Sequence, residues 1–261
     1  MRHVSTVAAR ELRSLFVSPV AYGVLSLFSV LAAVFFILNL AWFNEQLFYF
    51  QQMQAMEQLE RLNLNEHLIG EFYGSMSVVL LFLIPGVTMG LFAAEKTNGT
   101  QELLMTSPLS IWDVVLGKLV GAGAFVLILA VIVGLYPALL FAYGDPELGP
   151  TLSGLLGVLL VGWTYVAVGT FASSLTKSQV IAFLITFVMM LVLMLLPAVS
   201  DLGLAVGAPA VGQALRTLST APHFEQLVKG VVDTGDLAYF AAAIATFAVL
   251  TKTAVESARW R

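Results

Sequence analysis

The 261-residue chain has no cysteine, only three histidines, and charged side chains at only 11% of its positions. Each shortage removes a class of function. Without cysteine there is no disulfide, no thiolate metal site and no cysteine nucleophile. His3, His67 and His223 are scattered along the chain, so no Ser–His–Asp constellation is credible and no enzyme is expected. Soluble domains carry about 25% charged residues. Here 59% of residues are hydrophobic and the mean hydropathy is +0.92, which places the chain in the membrane class. A net charge of −4 and a pI near 5.3 leave no basic stripe, so nucleic acid is not an expected partner.

A phosphate loop is missing too. That loop needs G-x-x-x-x-G-K-[S/T]. At Gly117-Lys118 the residue five before the glycine is Trp112, and Leu119 follows the lysine. No internal repeat is present, so nothing points to an inverted-repeat carrier.

Charge is scarcest in the long apolar runs. A membrane helix needs about 20 apolar residues. The runs place spans at about 20–43, 72–94, 119–143, 152–175, 179–199 and 237–255, giving one all-α transmembrane domain over 1–261. The first five hold no Asp, Glu, Lys, Arg or His, and the sixth has only Lys252 near its end. A charge at mid-bilayer costs at least about 2.5–3.5 kcal/mol, and proton-driven carriers keep such residues as relays. A proton-driven carrier and a channel with a charged ring are therefore disfavoured. Sodium coupling through carbonyls and hydroxyls stays open.

Orientation follows Lys and Arg. With both termini cytoplasmic, Arg2, Arg10, Arg13, Lys96, Lys118, Lys177, Lys252, Arg259 and Arg261 lie inside, against Arg61, Arg216 and Lys229 outside. Of the sixteen acids, only Glu11, Glu95, Glu102, Asp113 and Glu256 fall inside.

The connecting segments have patterns of their own. In residues 1–19, Val7, Leu12, Leu15 and Phe16 share a face opposite Arg10, Glu11 and Arg13, and Ser18-Pro19 breaks the helix. That stretch is either an interfacial helix on the inner leaflet or an ordinary positively flanked helix start. In 44–72, Met53, Met56, Leu59 and Leu62 form a stripe for a helix packed on the membrane face. His67 and Glu71 sit four apart there without a third metal ligand. Residues 203–212 are apolar and broken, and Phe224, Leu227, Val228, Val231 and Val232 predict an amphipathic helix with Pro222 at its first position. Asp236 is expected to cap the sixth span.

Within the spans, Pro85-Gly86 predicts a kink. The pairs Gly86/Gly90 and Gly117/Gly121 suit close helix packing, although glycine is common in any membrane helix. Asn39, Ser75, Ser77, Thr88, Thr164, Tyr165, Thr170 and Thr186 either line a path or bond to neighbouring backbone.

The segment 95–110 is polar and compact. Asn98-Gly99 predicts a turn, Thr100 caps a short helix over Gln101–Thr106, and Ser107-Pro108 ends it. Ser110 with Asp113 forms a capping box for the third span. Such a helix, held crosswise between two span ends, suits being gripped from the cytoplasm.

Three stretches, "ARELRSLFVSPVAY" (9–22), "FAAEKTNGTQELLMTSPLSIWDVVLGK" (92–118) and "PHFEQLVKGVVDTGDLAYF" (222–240), resemble ATP-binding-cassette type-2 permeases. The likeness is closest to the bacterial gliding-motility and nitrous-oxide-reductase-maturation permeases. It implies a six-span, non-catalytic subunit of an exporter or ATP-driven machine in the bacterial cytoplasmic (inner) membrane. It implies no cofactor of its own, because ATP-Mg is used by a separate cytoplasmic ABC ATPase. A second copy or a related permease completes a dimer, alongside lipid and an auxiliary membrane or periplasmic protein. By this resemblance Glu95, Lys96, Gly99, Thr100, Gln101, Glu102, Leu103, Leu104 and Thr106 form the coupling-helix interface with the ATPase. Arg10, Glu11 and Arg13 belong to an elbow helix, and 201–236 supplies short extracellular helices. The rival readings are an ATP-independent carrier or channel and a structural subunit that transports nothing.

Overall fold

A computed structural model describes residues 2–100, 110–205 and 209–257. Among the described residues there is no strand, and six helices are long and apolar enough to cross a membrane. Only helices satisfy every backbone group within one segment in lipid, so long apolar runs take this form.

Helix α1 (Arg2–Val17) bends at Ser18 into α2 (Pro19–Gln52), with Pro19 in the favoured first position. The sequence places the end of the first span near residue 43, but α2 runs on through Gln52 because nothing in 44–52 breaks a helix. The break comes at Gln54, with φ 53°, before the short α3 (Met56–Arg61). The predicted stripe is therefore corrected: Met53 sits in the turn, and both Met53 and Met56 are exposed.

A π-helical segment (Asn65–Gly70) leads into α4 (Glu71–Thr88) and α5 (Gly90–Thr97), which together make the second span. Then come α6 (Ile111–Leu140), α7 (Leu148–Leu175), α8 (Gln179–Ala205), α9 (Pro209–Leu218), α10 (Thr220–Val228) and α11 (Thr234–Ser257).

The core lies between α4, α6 and α7. Phe72, Met76, Leu80 and Ile84 pack with Phe125, Leu129, Val133, Val161 and Tyr165. Helices α2, α8 and α11 stand at the periphery and leave much of their apolar surface uncovered, as lipid permits. At the end away from α1, Asn65 joins the π-helical segment to the start of α7. Its Nδ2 donates to Glu147 O (2.9 Å) and Thr151 Oγ1 (3.1 Å), while its Oδ1 accepts from Glu147 N (2.8 Å).

Of the eight polar residues singled out inside the spans, all but Tyr165 take the backbone alternative. Asn39, Ser75, Ser77, Thr88, Thr164, Thr170 and Thr186 each donate to a carbonyl one turn back in their own helix.

The region before the last span differs from expectation in detail. Helix α10 is capped by Ser219, whose Oγ accepts from Ala221 N (3.3 Å), so Pro222 is its third residue. It stops at Val228 because Gly230 takes φ 85°, and Val231 and Val232 lie beyond it in solvent. Asp233 rather than Asp236 takes the capping role, accepting from Gly235 N (3.2 Å).

Candidate functional site

Helix α6 begins earlier than its apolar run. Ser110 Oγ accepts from Trp112 N and Asp113 Oδ2 accepts from Ser110 N, both at 3.3 Å, which is the predicted capping box. Starting at Ile111 puts Lys118 in the third turn, inside the helix rather than before it.

Helix α1 lies directly on this part of α6. A Cβ at Gly117 would meet Val7 Cβ at 2.5 Å, and one at Gly121 would meet Ala8 O at 2.9 Å. The two glycines make a flat strip on which α1 backbone rests. The pair Gly86/Gly90 does nothing similar: a Cβ at Gly86 would meet nothing within 4 Å.

The close crossing buries Lys118 to 1% exposure. Its Nζ donates to Glu11 Oε1 of α1 (2.9 Å) and to Glu95 Oε1 of α5 (2.8 Å), and sits 5.1 Å from the Phe92 ring centre. Arg10 Nη2 reaches the same two oxygens, at 2.9 Å and 3.4 Å. Two carboxylates and two cations therefore balance. An unpaired buried ammonium would cost several kcal/mol, which the two carboxylates offset. Arg10 is half exposed and adds little. Glu95 Oε2 is buried with no hydrogen-bond partner.

The other flank of the loop is held by α7. The second span breaks at Met89, past the Pro85-Gly86 pair where the kink was predicted: α4 runs through that pair to Thr88, and Met89 N still donates to Pro85 O (2.9 Å). Ser173 repairs the break: its Oγ accepts from Phe92 N (3.0 Å) and Ala93 N (3.1 Å) and donates to Met89 O (2.8 Å). Gly169 lets α4 and α7 meet at this joint, since a Cβ there would lie 2.1 Å from Thr88 Oγ1. Lys96 Nζ donates to Ser174 O, and Thr97 Oγ1 donates to Lys177 O. Asn98 and Gly99 then turn the chain, Gly99 with φ 70°, and Thr100 Oγ1 donates back to Glu95 O (3.4 Å).

The structure thus brings Arg10, Glu11, Glu95 and Lys96 to one end of the helix bundle. Glu95 faces α1 and α6, and Lys96 faces α7. Arg13 is exposed on α1. Gly99 and Thr100 open the loop, whereas Gln101, Glu102, Leu103, Leu104 and Thr106 lie outside the described residues. Two residues were missed from sequence. Lys118 had a signal, a lone cation against the end of an apolar run. Ser173 had none, because only the fold brings it to the broken helix.

At the opposite end, His223 Nδ1 lies 2.6 Å from Asp236 Oδ1, and its ring stacks on Tyr239 at 4.0 Å. Tyr239 OH donates to Leu218 O (2.7 Å), so α9, α10 and α11 are tied together. A cavity of about 480 Å³ beside them is lined by Arg216, His223, Gln226, Asp233 and Asp236 among others. Among the described residues no three His, Asp or Glu side chains converge to hold a metal.

A family model described as ABC-2 family transporter protein matches residues 5–256. Curated proteins yield no match to the chain.

Proposed function

The chain belongs to the ABC-2 transporter family, and from that premise we propose that the buried cluster at the α1 end is the joint through which a separate ABC ATPase drives this membrane subunit. The ATPase seats on the loop between α5 and α6 in the cytoplasm. Its movement reaches α6 and α1 through Glu95 and Lys118, and α7 through Lys96 and Ser173. Two levers leave one loop, so a push on it shifts the helices as packed bodies. The subunit itself is non-catalytic, lies in the cytoplasmic membrane with both termini inside, and works with a second permease.

The observation that supports this most is Lys118, fully buried between Glu11 and Glu95 at 2.9 and 2.8 Å, immediately beside the loop. It makes α1, α5 and α6 one mechanical unit. Thr88, Thr164, Thr170 and Thr186 bond to their own helices, and on that ground we read any solute path as lying at the contact between two permeases rather than through one copy.

The test is reconstitution of the chain in lipid with its ATPase. Lys118→Met is expected to leave the ATPase bound while abolishing the dependence of ATP hydrolysis on the permease. Unchanged coupling in that variant would refute the joint. Solute flux from the chain alone, without ATP, would favour the independent carrier instead.

A further inference from the structure

Helix α2 is 34 residues long, about 51 Å, against a hydrocarbon core of about 30 Å. Its depth can be read from its neighbours. Phe36 touches the rings of Phe72 and Tyr136, both at 5.4 Å between centres. Tyr136 lies one turn before the end of α6, and Phe72 directly follows Glu71, the charged residue that opens α4. Phe36 therefore lies inside the apolar layer, in the half opposite α1, and the apolar run of α2 ends near residue 43. Phe48 stands twelve residues farther along, about 18 Å, with Asn44 and Glu45 in between.

Measured from residue 43, Phe48 stands about 8 Å out, at the outer edge of the headgroup region, and the turn after it lies in water. They are nonetheless bare: Phe48 is 68% exposed, Tyr49 53%, Met53 62% and Met56 68%. Inside the bilayer, lipid covers such side chains. Outside it, a cluster of large apolar residues marks a protein contact. Two methionines and two aromatics make an adaptable, anchor-bearing surface.

Charge selects the occupant. Residues 44–71 hold five carboxylates (Glu45, Glu57, Glu60, Glu66 and Glu71) against the single Arg61. Glu147 adds to them, since the start of α7 is hydrogen-bonded to Asn65. A second copy of this hairpin would bring like charges together, which disfavours self-association here.

We infer that the α2–α3 hairpin is a docking post for a separate protein on the outer side of the membrane, one that presents apolar side chains rimmed by lysine or arginine. The word "outer" rests on the proposed function, which puts α1 in the cytoplasm; the exposed post itself does not.

The test uses the full chain in its native membrane. The chain has no cysteine, so Tyr49→Cys creates a single labelling site. A membrane-impermeant maleimide added to intact cells should label it. Labelling only after permeabilisation would overturn the side assignment and this inference together. A photo-reactive benzoylphenylalanine is then placed at Phe48, with Val34 as the lipid-facing control, and irradiated in the same cells. The expected result is an adduct at Phe48 alone, identified by mass spectrometry as another protein and mapped to an apolar segment beside lysine or arginine. Its yield should fall about tenfold with Glu45→Lys plus Glu57→Lys, as expected for removal of rim attraction. An adduct of the chain with itself, an adduct indifferent to the charge reversal, or no protein adduct would overturn the docking post while leaving external labelling and ATPase coupling untouched.

Discussion

Lys118 Nζ lies 2.8 Å from Glu95 Oε1 across the gap between α6 and α5, with almost no solvent reaching the amine. Because Glu11 takes the same ammonium from the other side, the three helices share one proton-bearing group. Removing a single partner from a buried cluster strands the others, whereas removing all of them together does not.

Lys118→Met should therefore destabilise the chain by about 1–3 kcal/mol, because Glu11 and Glu95 lose their shared buried donor and keep only the half-exposed Arg10. The triple variant Lys118→Met, Glu11→Gln, Glu95→Gln should recover most of that loss. Thermal unfolding in nanodiscs measures both. If the triple variant is as unstable as the single one, the charges are not what holds the joint.

The two glycine pairs give opposite expectations. Gly121→Ala forces α1 away from α6, because the new Cβ falls 2.9 Å from Ala8 O and 2.8 Å from Glu11 Cβ. Overpacking of this kind costs about 1–3 kcal/mol. Gly86→Ala meets open space and should be neutral or slightly stabilising. Melting temperatures of the two variants, side by side, decide the matter.

Ser173→Ala removes the shared acceptor of Phe92 N and Ala93 N. Each stranded buried donor costs about 1–3 kcal/mol. Hydrogen exchange at the amides of Phe92 and Ala93 should quicken while that of the α6 core stays slow. Equal protection in the variant would show that the break in the second span needs no repair.

At the far end, Tyr239→Phe deletes the bond to Leu218 O and should cost about 1 kcal/mol. His223→Ala and Asp236→Asn should not add, because the two residues are in contact; a double-mutant cycle should return a coupling of about 0.5–3 kcal/mol. Strict additivity would mean that the pair does not tie α10 to α11.

The sequence was a sufficient guide wherever the cause was local. Apolar runs must become helices in lipid, so the six spans were legible, though not how far α2 and α6 run past them. Ser110 and Asp113 are three residues apart, so their capping box was legible as well. The same rules misread 224–232, where one glycine at φ 85° ends α10 before the apolar pattern ends. They also could not separate Gly86/Gly90 from Gly117/Gly121, which are the same pattern with different neighbours.

Composition and hydropathy alone thus determined a helical membrane protein with a polar segment after its second span, since the bilayer penalises charge and unpaired backbone residue by residue. Tertiary structure decided everything about how that loop is held. Glu11 and Lys118 are 107 positions apart and Ser173 is 81 from Phe92, and such distant groups meet only once α1 has settled on two glycines and α7 has packed against a broken helix. Burial and pairing are properties of neighbours in space, and no periodicity along the chain encodes them.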